Sequence, residues 1–374
     1  MMVRHRAVLA LAALALAGGS TWALVNGTGK VGAALSVKLP IELGGVRVSE
    51  LSPGYRPNRK TVAAGPRDWL VETDRLKFTF GADSSSLEGR GRLGALLDLG
   101  SKSLEDDELR ELRTVLSIGG HNVSLQVAEV TVVEEDGQPI VRIRQLSHDG
   151  RLELETDYAT RRGSDSITIT TQVLNVTDRL MRSVQVGDRV LWPGLPTFAP
   201  RAGFVRLASH AEVPWVAREG QRSSYVLSFG GALFDSSFLF DRIGPLGQVT
   251  LSPAHDVPPG ASVEVERQLF AARGGLDSVG ELAWKSIGKS VGFVKGTLSP
   301  PPSWGIVEAR YPDNKPALSV RADSEGNYRL PLPDGEYRLI LRSPGGEDQE
   351  DISIDAEGPA YDANLLPPRP GTLR

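Results

Sequence analysis

The residue types that most often carry chemistry are sparse in this chain of 374 residues. Cysteine is absent, which excludes disulfides, thiol catalysis, iron–sulfur clusters and cysteine-ligated zinc. Only five histidines occur, and none belongs to an H-x-H or H-E-x-x-H pattern. The sequence therefore predicts no catalytic residue, no metal site and no cofactor.

Aromatic residues are the remaining candidates for ligand contact. Trp192, Trp215 and Tyr225 lie in a region rich in glycine and proline, from Gly187 to Leu227. Exposed rings on a β-sandwich can stack on sugars or on other flat apolar ligands. The alternative is a packing cluster at one end of the sandwich. We take these three residues as the candidate ligand-binding set.

An enzymatic alternative depends on residues that are distant in sequence. Ligands and catalytic groups that are distant in sequence can converge in space. If this protein is an enzyme, we therefore expect two of His121, His148 and His210 to lie close to a carboxylate. His148 lies in a turn-like stretch and His210 in a loop-like one. The acidic run Glu105–Glu108 is interpreted as the solvated start of a helix, with a cation site as the alternative.

Short strands must position these residues. Alternating or continuous apolar runs predict strands from Trp69 onwards, with few helices between them, and Glu135-Asp136-Gly137 predicts a hairpin turn. Successive strands at short spacing favour an antiparallel sandwich. Two helices are expected: one after Ser103, with Leu104, Leu109 and Leu112 on one stripe, and one over Leu276–Lys289, capped by Asp277.

A second set of strands near the C-terminus is the clearest pattern in the chain. Leu318–Arg342 predicts three strands, because its apolar residues alternate and two sharp turns, Asp323–Gly326 and Pro333–Gly335, interrupt it. Trp304 is expected to cover the core of this small domain. The predicted fold class is all-β: a large antiparallel, supersandwich-like β-sandwich, then a small seven-stranded transthyretin-like sandwich, with few short helices.

Composition limits the location and the partners. Arg4 and Arg6 precede an apolar run, Ala7–Ala17, too short for a span of about 20 residues, which predicts a cleaved signal peptide over residues 1–23. Gly19 stands where a lipidated cysteine would be, so we expect a periplasmic or extracellular protein without a lipid anchor. A net charge of −4 argues against nucleic acid as a partner. The predicted domains are residues 35–287 and 291–356, with a flexible tail at 357–374.

The C-terminal part resembles a carboxypeptidase regulatory-like domain, a transthyretin-type sandwich. The residues that carry the resemblance are Val294-Lys295-Gly296-Thr297, the D-x-x-G-x-Y of Asp323–Tyr328, and Leu332–Tyr337. The resemblance implies a spacer, a folding aid or an adhesive module.

The larger part is similar to the mutarotase-like β-sandwich that precedes the catalytic domain in exported bacterial metallohydrolases of the polymerase-and-histidinol-phosphatase type. The stretches that carry this similarity are Gly187–Trp192, Phe198–Phe204, Pro214–Ala217 and Ser224-Tyr225. The family's histidine-rich motifs are expected after the small domain, where this chain reads Asn364–Pro370. No catalytic residue of that family therefore has a counterpart here, and a separate metallohydrolase domain becomes a candidate partner.

These observations favour a non-enzymatic binding or scaffold protein of the bacterial cell envelope, with a glycan or another envelope polymer as ligand. One alternative is a carbohydrate-active enzyme, namely an epimerase, hydrolase or lyase, on the mutarotase-like sandwich. The other is the accessory half of a metallohydrolase.

Overall fold

A computed structural model describes residues 39–55, 63–82, 91–101, 107–192, 194, 196–205, 208–220, 222–241, 244–298, 301, 304–344 and 346–363. All of them belong to one compact unit, Ala34–Arg374. The predicted signal peptide lies outside the described residues.

Within the described ranges the chain forms strands and the helix α1, which covers Leu276–Ser286, and residues 91–92 are also helical. The strands before the helix are β1 (Ile41–Leu43), β2 (Val46–Glu50), β3 (Trp69–Glu72), β4 (Lys77–Phe80), β5 (Leu96–Gly100), β6 (Glu111–Ile118), β7 (His121–Val123), β8 (Leu125–Glu135), β9 (Gln138–Ser147), β10 (Leu152–Ala159), β11 (Ser166–Asn175), β12 (Met181–Leu191), β13 (Thr197–Ala199), β14 (Gly203–Val205), β15 (Ser209–Val213), β16 (Trp215–Arg218), β17 (Ser223–Ser228), β18 (Phe234–Asp241), β19 (Gly244–Leu251), β20 (His255–Val257) and β21 (Ser262–Arg273). The strands after the helix are β22 (Val291–Thr297), β23 (Ile306–Arg310), β24 (Pro316–Arg321), β25 (Asn327–Pro333), β26 (Gly335–Ser343), β27 (Gly346–Ile354) and β28 (Tyr361–Asp362).

The strands before the helix build a large two-layer sandwich. One sheet has 12 strands along the path β1-β2-β3-β4-β5-β6-β12-β19-β18-β15, with β7 beside β6 and β20 beside β12. The other has nine strands in the order β14-β13-β16-β17-β21-β11-β10-β9-β8. Every strand pair in both sheets is antiparallel in the described chain. The predicted hairpin is present. Asp136 and Gly137 connect β8 to β9, and both adopt the positive φ that such a two-residue turn requires.

A buried ion pair joins the two sheets across the core. Arg267 of β21 donates to both carboxylate oxygens of Asp188 of β12, with each nitrogen–oxygen distance 2.8 Å, and both side chains are fully buried. Arg267 also donates to the Thr171 hydroxyl at 2.9 Å, and Thr156 and Thr114 continue this chain of contacts. The charges are therefore embedded in a polar belt between otherwise apolar faces.

The strands after the helix build the small sandwich. Sheets of three strands, β25-β22-β28, and four strands, β24-β23-β26-β27, face each other. The predicted inward residues of Leu318–Arg342 are buried, except Ala322, which is half-buried. The two predicted turns carry the chain from one sheet to the other, since β24 and β26 belong to one sheet and β25 to its partner. The all-β fold class, with a large antiparallel sandwich and a smaller sandwich of seven strands, is confirmed.

The predicted helix after Ser103 is wrong in the part that the structure describes. Residues 102–106 lie outside that part, residues 107–110 are irregular, and Leu112 belongs to strand β6. Asp107 explains the extended path, because its Oδ1 accepts hydrogen bonds from the backbone N–H groups of Leu99 and Leu109. Leu109 and Leu112 are buried, as their apolar character requires, but in the core of the sandwich.

Three other expectations differ from the structure. Helix α1 starts after Gly275 without a side-chain cap, and Asp277 lies in its first turn. Trp304 is 49% exposed and so does not cover the small core. Part of the predicted flexible tail is packed, since β28 runs parallel to β22 and Ala363 is buried.

The division into domains at residues 35–287 and 291–356 stays a prediction. One hydrophobic cluster contains residues of both sandwiches and of α1, including Trp215, Trp284 and Leu339. A search of the described residues for a helix long and apolar enough to cross a membrane finds none.

The buried ion pair yields a stability prediction. Asp188→Asn leaves the Arg267 guanidinium buried without its counter-charge, so we expect the free energy of unfolding to fall by about 3–5 kcal/mol. The matched control is Asp351→Asn, which removes the partner of Arg338 in an exposed pair and is expected to leave stability unchanged within error. Urea unfolding measures both changes, and equal effects of the two substitutions would contradict the role of the buried pair.

Candidate functional site

The three aromatic candidates are all fully buried. Trp192 and Tyr225 lie together with ring centroids 5.7 Å apart, and the guanidinium carbon of Arg218 is 5.2 Å from the centre of the Trp192 ring. Trp215 belongs to a different cluster, between Phe198 and Trp284. The rings therefore pack inside the protein, which is the arrangement that the packing alternative describes.

A cleft of about 770 Å³ lies between loops of the large sandwich, the start of α1 and one end of the small sandwich. Its volume is in the range of small-molecule sites, which often lie between domains. The residues that line it are Glu108, Gly194, Pro196, Glu219, Gly220, Gly274, Gly275, Asp277, Arg321, Asp323, Asn327, Tyr328 and Arg329. We refer to this space as the cleft.

The two arginines of the cleft are each held by a carboxylate. Arg321 Nε lies 2.9 Å from Oε2 of Glu219, whose side chain is 7% exposed. Arg329 Nη2 lies 3.1 Å from Glu281, and its guanidinium stacks 3.7 Å from the centre of the Phe293 ring. Burial alone raises the pKa of Glu281, but hydrogen bonds from Lys285 and Arg329 lower this pKa below its ordinary value. The positive charges are therefore already paired, and carboxylates dominate the lining.

The wall formed by the small sandwich is a turn closed by hydrogen bonds. Oδ1 of Asp323 accepts hydrogen bonds from the N–H groups of Glu325 and Asn327, and Gly326 closes the turn at φ +84°. The hydrogen bond from the Asn327 N–H is the main reason that the pKa of Asp323 lies below its ordinary value. The hydroxyl of Tyr328 donates to the carbonyl of Ala363. This turn is the D-x-x-G-x-Y motif noted in the sequence.

Glycines let the backbone approach the carboxylates on the opposite wall. A Cβ on Gly220 would lie 2.0 Å from the Ser223 carbonyl oxygen and 2.1 Å from Oε2 of Glu108. Gly274, at φ +102°, reverses the chain before α1. Sequence patterns could not reveal this wall, because Glu108, Glu219 and Asp277 are far apart along the chain.

Two buried carboxyl groups lie behind the same wall. Asp98 of β5 accepts hydrogen bonds from the backbone of Ala63 and Ala64 and from the Thr79 hydroxyl. Asp107 is held by the backbone of β5 and by Tyr225, whose hydroxyl lies 3.2 Å from its Oδ1. Burial raises the pKa of both carboxyl groups, and the charge of Asp98 raises that of Asp107 further. The acidic run Glu105–Glu108 thus contains a buried carboxyl group, Asp107, whereas we expected the run to be solvated.

The three histidines considered above, His121, His148 and His210, are all exposed. His210 lies in strand β15, and its Nδ1 is 2.8 Å from Oδ1 of Asp235 on the exposed face of the sheet. His121 and His148 are also exposed, and neither is paired with a carboxylate in the contacts described above. In the described ranges no group of three His, Cys, Asp or Glu side chains has the geometry of a metal site.

Two glycine runs match the letters of catalytic or cofactor motifs without their structural context. Gly288–Gly292 reads G-x-S-x-G but connects helix α1 to strand β22, whereas a nucleophile elbow connects a strand to a helix. Gly89–Gly94 reads G-x-G-x-x-G, and its described part leads into strand β5 rather than into the helix of a dinucleotide site.

Neither a family model nor a curated protein matches this chain. Solved structures that are similar include a protein of Escherichia coli K12 described as an aldose 1-epimerase, with 10% identity over 55% of this chain and 99% of that one and a TM-score of 0.40. The α-galactosidase of Lactobacillus brevis is 9% identical over 60% of this chain and 42% of its own, with a TM-score of 0.41. A TPR-domain containing protein of Parabacteroides distasonis is 9% identical over 62% of this chain and 56% of its own, with a TM-score of 0.43.

The burial of the tryptophans leads to a test of their role. Trp215→Ala removes a fully buried ring from the core that joins the two sandwiches, so we expect a loss of about 3–5 kcal/mol of unfolding free energy. Trp304→Ala, at a half-exposed position, is the control and should change stability by about 0.5 kcal/mol or less. Chemical denaturation followed by circular dichroism measures both, and an unchanged midpoint for Trp215→Ala would show that this ring does not stabilise the core.

Proposed function

We propose that the protein is an exported binding protein of the cell envelope and that its ligand is a carbohydrate held in the cleft. The observation that carries the proposal is the lining of the cleft, where carboxylates, an amide and guanidinium groups surround about 770 Å³. Groups of this kind accept and donate hydrogen bonds in fixed directions. A ligand rich in hydroxyl groups, which are both donors and acceptors, is matched to such a lining.

The charges in the cleft favour a neutral or an amino sugar over an acidic one. Four carboxylates line it, at Glu108, Glu219, Asp277 and Asp323, against two guanidinium groups. Both arginines are already in ion pairs with Glu219 and Glu281. A uronic acid or a sugar phosphate would therefore meet a lining with more carboxylates than guanidinium groups.

The state of the carboxylates supports binding rather than glycoside hydrolysis. Hydrolysis of a glycosidic bond needs a carboxyl group that stays protonated near neutral pH, and proteins achieve this by raising its pKa. The pKa of Asp323 is shifted in the opposite direction, because the backbone of Asn327 stabilises its charged form. Glu219 is engaged by Arg321. These carboxylates are suited to accepting hydrogen bonds from hydroxyl groups.

A glycan-binding experiment tests the proposal. The full chain without its signal peptide is applied to an array of neutral, amino-containing and acidic oligosaccharides, and the strongest neutral or amino-containing hit is measured by calorimetry. Asp277→Asn, in the wall of the cleft, is expected to weaken binding at least tenfold, because a charged hydrogen-bond acceptor is lost.

Glu134→Gln, on the exposed end of β8, removes the same charge far from the cleft in sequence and is the control. It should leave the affinity unchanged. Equal affinities of wild type and Asp277→Asn, or a preference for acidic glycans, would contradict a cleft-bound neutral or amino sugar.

A further inference from the structure

The buried carboxyl groups Asp98 and Asp107 differ in the hydrogen bonds that they accept. Both oxygens of Asp98 are occupied, Oδ1 by the Ala63 N–H at 2.5 Å and Oδ2 by the Ala64 N–H at 2.8 Å and the Thr79 hydroxyl at 2.5 Å. Asp107 also has three donors, but the Leu99 N–H, the Leu109 N–H and the Tyr225 hydroxyl all approach its Oδ1. Donors on both oxygens stabilise a carboxylate better than donors on one, so Asp98 is the charged member. Oδ2 of Asp107 is buried and has no hydrogen-bond partner among the described atoms. Protonation of Asp107 therefore costs less free energy than protonation of Asp98.

Hydrogen bonds connect this proton to the wall of the cleft. Oδ1 of Asp107 lies 3.2 Å from the Tyr225 hydroxyl, which also lies 3.1 Å from the carbonyl oxygen of Leu99. The same hydroxyl accepts a hydrogen bond of 2.8 Å from the backbone N–H of Glu108. The side chain of Glu108 lines the cleft, and its Oε2 lies 3.4 Å from the N–H of Arg222. Two hydrogen bonds through the Tyr225 hydroxyl thus link the carboxyl group of Asp107 to the backbone N–H of Glu108.

The groups that face Asp107 provide no compensating positive charge. They are Asp98 from β5, Glu108 from its own segment and Tyr225 from β17. The guanidinium of Arg218 lies over the Trp192 ring, and Arg92 donates to the Ala63 carbonyl and pairs with Asp68. Loss of the proton from Asp107 would place a second buried negative charge beside that of Asp98.

We propose that Asp107 and Tyr225 are positioning residues, and that the proton on Asp107 holds Glu108 in the wall of the cleft and its loss opens that wall. In this arrangement the cleft is closed while Asp107 is protonated and loosens as the pH rises. The inference goes beyond the proposed function, since it requires no ligand and holds for any occupant of the cleft.

The direction of the pH dependence follows from the raised pKa of Asp107, which burial causes in the first place and the charge of Asp98 increases. The contribution of this group to stability is fully present below about pH 4, the ordinary pKa of an aspartate, and is lost as the pH rises through the raised value. Between these two values the ratio of opened to closed wall increases with pH by up to tenfold per pH unit, which is the limit for release of one proton, and above the raised pKa the ratio levels off.

Hydrogen exchange of the full chain measures the opening directly. The exchange of the Glu108 and Leu109 amides is followed from pH 5 to 9 and corrected for the intrinsic rate at each pH. For the wild type we expect the corrected opening ratio to rise with pH up to the pKa of Asp107 in the closed protein and then to level off. Asp107→Asn should give a flat profile, because the Asn Oδ1 accepts the same hydrogen bonds and its amide group provides the donor without titrating.

Two further variants keep the test decisive. Tyr225→Phe breaks the connection, so the Glu108 amide should exchange faster at every pH and lose its pH dependence while the protein stays folded. Asp98→Asn places an amide group against backbone N–H donors and should destabilise the protein where Asp107→Asn does not. Identical pH profiles of wild type and Asp107→Asn, or a wild-type profile that is flat, would overturn the proposal.

Discussion

The large sandwich depends on a buried ion pair, between Arg267 and Asp188, which joins full charges from the two sheets inside the core. Removing both groups from water is costly, and the cost is offset only if the geometry is close to ideal. The bidentate contact at 2.8 Å and the Thr171 hydroxyl meet that requirement. A shift of either strand by one residue would turn one charge to the other face of its sheet. The pair therefore specifies how the two sheets are aligned.

The alignment of the sheets determines where the second sandwich can attach. Helix α1 follows directly on β21, the strand that carries Arg267, and lies between both sandwiches. Gly280 lets the helix approach closely, since a Cβ there would lie 2.8 Å from Leu318 of the small sandwich. Trp284 of the helix packs edge to face on Trp215 of the large sandwich. The cleft is thus bordered by elements that share one apolar core, which is a basis for a preformed site.

Strand patterns were predictable because alternation reports local burial. Residues such as Ile167 and Ile169, or Leu339 and Leu341, point to one side by geometry alone, and the structure buries all of them. The helix predicted after Ser103 is absent from the described part of that stretch, residues 107–112, for a physical reason: the leucine spacing fits a helical stripe, but Asp107 binds the backbone of β5. Hydrogen bonds between distant residues outweighed a local pattern there. The aromatic candidates also could not be judged from the sequence, because residue type does not reveal burial. Trp192, Trp215 and Tyr225 are all buried.

The sequence by itself determined the all-β class, the hairpin at Asp136-Gly137 and the inward face of the small sandwich, because turn chemistry and alternation act within a few residues. Only the tertiary structure decided where a ligand could sit. The cleft combines Glu108, Glu219, Asp277 and Asp323 from four separate segments. It also decided that Asp107 is a buried acid beside Asp98, since a pKa depends on the charges and the solvent that folding places around the group. Such proximity is a property of the packed chain, and no local stretch of residues encodes it.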